Sequence, residues 1–245
     1  MNTPRLHIHL ERIEHNIRLI AQQSREHGMT VAGVTKCACG HPAVARAMQH
    51  GGAGQLADSR LENLRRMRAA GLELPFMLLR LPAPSEAEDV VQLADISLNS
   101  ELAVLQALST AAEKQGRVHG VVLMVELGDL REGIPPAELP RVVQQLLTMP
   151  GLRLRGLGAN LGCFAGTIHS REHMQKLADL AGQVQGAHGL RLDMLSGINS
   201  GGLDLLASGD IPGAVNHARI GEAILLGRES SHRRPWPGLL QDAFE

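Results

Sequence analysis

Eight times along the chain, a short apolar run gives way to a longer stretch whose apolar residues recur at helical spacing. The runs lie at 31–35, 55–57, 76–79, 96–98, 121–126, 156–161, 193–195 and 217–220. Helical patterns at 43–50, 61–70, 85–92, 101–114, 139–149 and 171–184 fall between them, and a strand at 6–10 and a helix at 12–26 are expected to open the chain. Start signals precede several helices: Pro42, Pro136, Ser170, and Ser85 with Glu88 three positions on. Strands joined by helices pair in parallel, and eight such units in about 230 residues predict a (β/α)8 TIM barrel. A doubly wound open sheet uses the same local alphabet. It usually has fewer units and a glycine-rich fingerprint after its first strand, whereas here VAGVT runs into KCACGHP.

Composition narrows the function classes. With 245 residues, 44% hydrophobic and 20% charged, the chain can bury one large core and is not of disordered type. A formal net charge of -1 and 2% aromatics leave neither a basic surface nor a stacking platform, so no nucleic acid is expected as a partner. The opening MNTPRLHIHLERIEHN interleaves charges with apolar residues, and no later stretch is apolar for long enough to span a bilayer. Three cysteines, Cys37, Cys39 and Cys163, cannot all pair within one chain; buried, reduced thiols in a cytoplasmic protein are expected. Cys37, Cys39 and His41 make a poor zinc spacing, and no metal is expected.

In a parallel barrel, reactive groups collect on the loops after the strands. Lys36 directly follows the run VAGVT, and it is one of three lysines in a chain that otherwise writes arginine. On spacing alone it is a solvated strand cap or an amine able to form a Schiff base with an aldehyde. SGINSGG at 196–202 and RIGEA at 219–223 follow the seventh and eighth runs, where barrels commonly bind phosphate through open backbone N–H groups. Arg131, in VELGDLREG, suits a carboxylate clamp, and equally an ion pair with Glu126 or Asp129. The sequence contains no tyrosine, so a phenol takes no part in any mechanism.

Taken together, GVTKCACG, ADSRLENLRRMRAAG, LPFMLLRLP, ADISLNSE, VELGDLREGI, GANLGCF, LSGINSGGL and NHARIGEAILLGRE resemble the alanine/ornithine racemase family, most of all its ornithine racemase branch. The resemblance runs from about Pro4 to Glu229. It implies a barrel of the pyridoxal-5′-phosphate (PLP) fold-type III kind and a racemase of small amino acids (ornithine, lysine or alanine), acting as a monomer or homodimer. Lys36 would carry PLP as a Schiff base and act as base on one face of the substrate. Ser200, Gly201, Gly221 and the backbone of Glu222 would hold the phosphate, with the Glu222 carboxylate turned away. Arg219 would face the pyridine nitrogen, Asn160 would lie where relatives place a ring against the cofactor, and Arg131 would bind the substrate carboxylate.

The same resemblance divides the chain into a PLP-binding barrel domain at 1–229 and a remnant at 230–245. The remnant reads as a proline-bearing linker followed by QDAFE, the first strand of a truncated C-terminal domain. The barrel also resembles single-domain PLP-binding proteins of PLP homeostasis, so PLP binding without racemase turnover is the alternative. The absence of tyrosine bears on that choice, because the family's second base is a tyrosine.

Overall fold

The computed structural model of the protein describes residues 5–162 and 166–245. Helix α1 (Leu10–Glu26) leads into strand β1 (Thr30–Val34), and helices and strands then alternate. They run α2 (Pro42–His50), β2 (Gln55–Asp58), α3 (Leu61–Ala69), β3 (Phe76–Leu78), α4 (Ala87–Leu93), β4 (Ile96–Asn99), α5 (Leu102–Lys114) and β5 (His119–Met124). The second half continues with α6 (Leu139–Leu146), β6 (Leu152–Gly158), α7 (Arg171–His188), β7 (Met194–Asn199), α8 (Leu203–Ser208), β8 (His217–Ile220) and α9 (Glu222–Leu226). All eight strands pair in parallel in chain order, and β1 closes on β8 with Ala32 opposite Arg219. The barrel expected from the alternation is therefore present.

Two apolar sets fill it, and the period of two along each strand separates them. Ala32, Val34, Ala57, Met77, Ile96, Leu98, Val122 and Met124 point inward and pack together. Their strand neighbours Val31, Leu56, Phe76, Leu78, Val121 and Leu123 point outward against Ile13, Ile17, Leu64, Leu105 and Leu108 of the helices. Between β5 and β6 the register slips, so that Val121 faces Leu154 while Val122 faces Gly156. A Cβ at Gly156 would lie 1.6 Å from the Met194 carbonyl oxygen, so only glycine lets β6 and β7 approach there.

Several boundaries differ from the sequence reading, each for a physical reason. The 6–10 segment adds no barrel strand: Leu10 already belongs to α1, and Ile8 forms an isolated antiparallel bridge with Phe244. The β6 strand begins at Leu152, ahead of its apolar run, because Arg153 and Arg155 reach Asp193 at 2.8 and 2.9 Å on the barrel's outer edge. Ser85 and Glu88 do not cap α4; the Glu86 carboxylate instead accepts the Ala83 N–H at 2.8 Å, ahead of a short 3-10 turn. Ser170 does cap α7, accepting the His173 N–H at 3.3 Å.

Residues 230–245 pack back on the barrel. Trp236 and Ala243 are buried and Phe244 is half-buried. The fully buried Asn16 of α1 ties the segment down: its amide donates to the carbonyls of Ile224 (3.0 Å) and Leu240 (2.8 Å), and its oxygen accepts the Leu240 N–H (2.7 Å).

Candidate active site

Lys36 begins a 3-10 turn (Lys36–Ala38) at the end of β1. The turn is held from below. Thr35, fully buried, donates its hydroxyl to Asp58 Oδ2 at 2.7 Å, and Asn63 donates to the other oxygen at 2.8 Å. Thr35 N–H also donates to the Ala57 carbonyl at 2.9 Å. Asp58 is thus the anchor that fixes where the lysine leaves the barrel. Cys39 adopts a left-handed conformation (φ 51°), and the turn opens outward, which leaves Cys37 and Cys39 exposed rather than buried as expected. Cys163 lies outside the described residues.

Lys36 lines a cavity of about 360 Å3 at the barrel mouth, within the size range of small-molecule sites. Arg131, Asn160, Ser200, Arg219, Gly221 and Glu222 line the same cavity. Seven of the eight residues singled out from the sequence therefore converge. Gly201 does not line the cavity; its N–H is taken by Asn199 Oδ1 at 2.7 Å. Ser200 is nearly buried, and its Oγ accepts the N–H of Ala223 at 3.2 Å and of Gly221 at 3.4 Å, which knits the two glycine-rich turns into one cradle. The Glu222 carboxylate pairs with Arg228 Nε at 2.7 Å.

Arg219 is buried on β8, and its guanidinium donates to four acceptors among the described residues. Nη1 donates to Ser196 Oγ (2.9 Å) and the Ser196 carbonyl (3.3 Å); Nη2 donates to the Ala159 carbonyl and Asn160 Oδ1 (both 2.8 Å). Below it, Ser196 Oγ meets His217 Nδ1 at 2.7 Å, and His217 Nε2 meets Gln55 Oε1 at 2.9 Å. The Gln55 carbonyl can only accept, so the His217 proton sits on Nε2 and Nδ1 accepts from Ser196. Burial, and then the Arg219 charge, lower the His217 pKa to about 3, so the ring is neutral.

Above Arg219, Asn160 donates to Glu132, and Glu132 pairs with Arg131. Arg131 pairs here with its chain neighbour, a partner the sequence reading did not consider. A continuous polar string thus runs from Gln55 inside the barrel to Arg131 at the rim.

The pattern of the alanine racemase N-terminal domain matches residues 8–229. This chain belongs to that family. As an alanine racemase N-terminal domain, it is 36% identical over 241 residues to the lysine racemase of Thermotoga maritima, covering 98% of this chain and 67% of that one. It is 35% identical over 243 residues to the ornithine racemase of Acetoanaerobium sticklandii, covering 99% and 68%. The domain thus spans about two thirds of the length of these curated relatives.

The fold is shared with solved structures. The alanine racemase of Streptomyces lavendulae superposes with a TM-score of 0.79 at 21% identity, over 97% of this chain and 62% of that one. PipY of Synechococcus elongatus, solved with PLP bound, superposes at 0.71 and 21% identity, over 86% of this chain and 99% of that one. Among the described residues of this domain, no group of three His, Cys, Asp or Glu side chains could hold a metal ion. No described helix is long and apolar enough to cross a membrane.

The sequence reading missed Asn199, Ser230 and Arg233, which also line the cavity. Asn199 sits inside the SGINSGG motif and was open to recognition there. Ser230 and Arg233 lie in a polar stretch with no periodic or motif signal.

Proposed function

We propose that this chain is a PLP-dependent amino-acid racemase of the lysine and ornithine racemase kind, interconverting the L and D forms of a small amino acid. One observation carries the reading. Lys36, Arg219 and the Ser200–Gly221 cradle, spread over most of the sequence, line a single cavity. The residues fit PLP chemically: an amine for its aldehyde, a cradle of hydroxyl and backbone N–H groups for its phosphate, and a buried guanidinium for its ring nitrogen. PLP bound through its aldehyde draws electrons from the α-carbon of an amino acid and so acidifies the α-proton.

Lys36 Nζ holds the cofactor and moves the proton at Cα on one face. The Ser200 hydroxyl and the backbone N–H groups of Gly221 and Glu222 bind the phosphate. The Glu222 carboxylate, drawn to Arg228, stays out of the anion's way. Arg219 can only donate, and its four acceptors keep it charged and fixed. Arg219 would thus leave a facing ring nitrogen unprotonated and favour return of the proton to Cα over transfer of the amino group. Arg131, oriented through Glu132, takes the substrate carboxylate in two parallel bonds.

A second reading, a barrel that holds PLP without turnover, is favoured by the absence of tyrosine from these 245 residues, which themselves supply no phenol for the opposite face of Cα. One pair of measurements separates the two. Adding PLP is expected to give an absorbance band near the edge of the visible that disappears on borohydride treatment and is absent in Lys36→Ala; without that band, both readings fall. Incubation with L-lysine, L-ornithine or L-alanine in deuterated water is expected to put deuterium at Cα. A band without deuterium in any of the three leaves the holding role and rejects the racemase.

A further inference from the structure

Residues 230–234, which read from sequence as part of a linker, form a tight loop pressed against the cradle. Its centre is Glu229, whose side chain is 1% exposed. The Glu229 carboxylate accepts the N–H groups of Ser231 (2.7 Å), His232 (3.0 Å) and Arg234 (3.2 Å), so the loop wraps around a buried anion. The loop base is closed by a bridge between Arg228 and Pro235. Its tip is fastened to the cradle twice: Ser230 N–H donates to the Ser200 carbonyl (3.2 Å), and Ser231 Oγ donates to the Gly201 carbonyl (3.1 Å). A Cβ at Gly201 would come within 2.8 Å of Ser231 Oγ and 3.2 Å of Ser230 Oγ, so a side chain there would push the loop away.

The loop places Arg233 at the cavity, on the same lining as Ser200, Gly221 and Ser230. Arg233 has φ +56°, a left-handed conformation that a branched-chain or bulky residue avoids and that the wrapped loop imposes. The charges around it are sorted. Arg228 pairs with Glu222, and Arg234 grips both oxygens of Asp204 at 2.7 Å. Arg233 lines the cavity from its exposed outer side and pairs with no carboxylate among the described residues. The cradle otherwise offers a hydroxyl and backbone N–H groups, which hydrogen-bond an anion without neutralising it.

We propose that Arg233 is the countercharge of the cradle, binding the phosphate of the cofactor from the loop side. The inference rests on the PLP reading above and adds a residue to it. The same chemistry would suit a substrate carboxylate, and the test separates the two. The full chain is titrated with PLP, with pyridoxal (which lacks the phosphate), and with PLP against inorganic phosphate as competitor, for the wild type, Arg233→Gly and Arg233→Lys. Glycine accepts the left-handed backbone, so Arg233→Gly keeps the loop while removing the charge.

Losing one charge-assisted contact is expected to raise the Kd for PLP about tenfold or more in Arg233→Gly, with part of the affinity restored in Arg233→Lys. Inorganic phosphate should compete correspondingly less well, and pyridoxal affinity should stay within about twofold of the wild type. Unchanged PLP affinity in Arg233→Gly overturns the inference and leaves the PLP reading standing. Equal losses for PLP and pyridoxal overturn it in favour of a structural role, and unchanged PLP affinity with a raised KM for the amino acid in the deuterium-exchange assay overturns it by assigning the guanidinium to the carboxylate instead. Wild-type protein that binds no PLP overturns the reading and the inference together.

Discussion

Acidifying the protein from about pH 7.5 to about pH 5 should cost it a large part of its stability, through three histidines that the fold buries uncharged. His217 is lowered to about 3 by burial and then by Arg219. His169 is lowered to about 4 by burial, then Arg219 and His173, against a weaker pull from Asp129 and the Gly197 backbone. His119 is also lowered to about 4 by burial, partly offset by the Ala94 backbone and Asp95. Each has an ordinary value of 6.5 in the unfolded chain. Between 6.5 and about 4 the unfolded state therefore binds protons that the folded state refuses, and stability falls as the pH falls.

At about pH 5 each ring costs about 2 kcal/mol, or about 6 kcal/mol for the three, against a total of about 5–15 kcal/mol for a typical domain. Urea unfolding at the two pH values, extrapolated linearly to water, measures the loss. His217→Gln should recover about 2 kcal/mol of the acid-induced loss, whatever it costs near neutrality. A stability that changes by less than about 1 kcal/mol across this window would refute the reasoning, as would ring proton resonances of His217 titrating near the ordinary value.

Three further perturbations test other parts of the structure. Asn16→Ala removes one buried hydrogen bond to Ile224 and two partly buried ones to Leu240, so it should cost about 3 kcal/mol in urea unfolding and make residues 230–245 more accessible to protease; an effect below about 1 kcal/mol would deny the anchor. Gly156→Ala drives a Cβ into the Met194 carbonyl, so it should destabilise by about 3 kcal/mol or more, or prevent folding, as read by circular dichroism and thermal unfolding. Ser196→Ala removes the oxygen between His217 and Arg219, so the PLP absorbance band should shift in position while the fold persists, and an unmoved band would show that the string does not act on the cofactor.

How far the site was legible in the sequence depends on how local its signals are. Lys36, Ser200, Gly221 and Arg219 sit at the ends of apolar runs, where strand and loop character can be read from a few neighbours, and the cavity brings them together as the barrel arrangement requires. Gly201 belongs to the same motif, yet its N–H turns to Asn199, a choice made by loop packing and not by spacing. Cys37 and Cys39 read as small buried thiols by residue type, but a left-handed residue in the turn directs them to solvent. Glu229 was unreadable for the opposite reason: a carboxylate in a polar, proline-bearing stretch resembles solvated linker, while three backbone N–H groups compensate its burial. Those groups, with the His232 charge, outweigh the upward push of burial and hold its pKa below the usual carboxylate range.

What the amino-acid order determined alone is the alternation of strand and helix and, with it, the parallel barrel and the loops that carry reactive groups. Those properties follow from hydrophobic periodicity over windows of ten to twenty residues. Tertiary structure alone decided which polar groups meet: Gln55 with His217 across 162 positions, Asn16 with Leu240 across 224, and the loop at 230–234 against the turn at Ser200. Such contacts form because barrel closure sets β2 and β8 on either side of β1 and lets α1 and the 230–245 segment pack against its surface, so that buried polar groups meet partners far away in sequence. No local pattern encodes the identity of that partner.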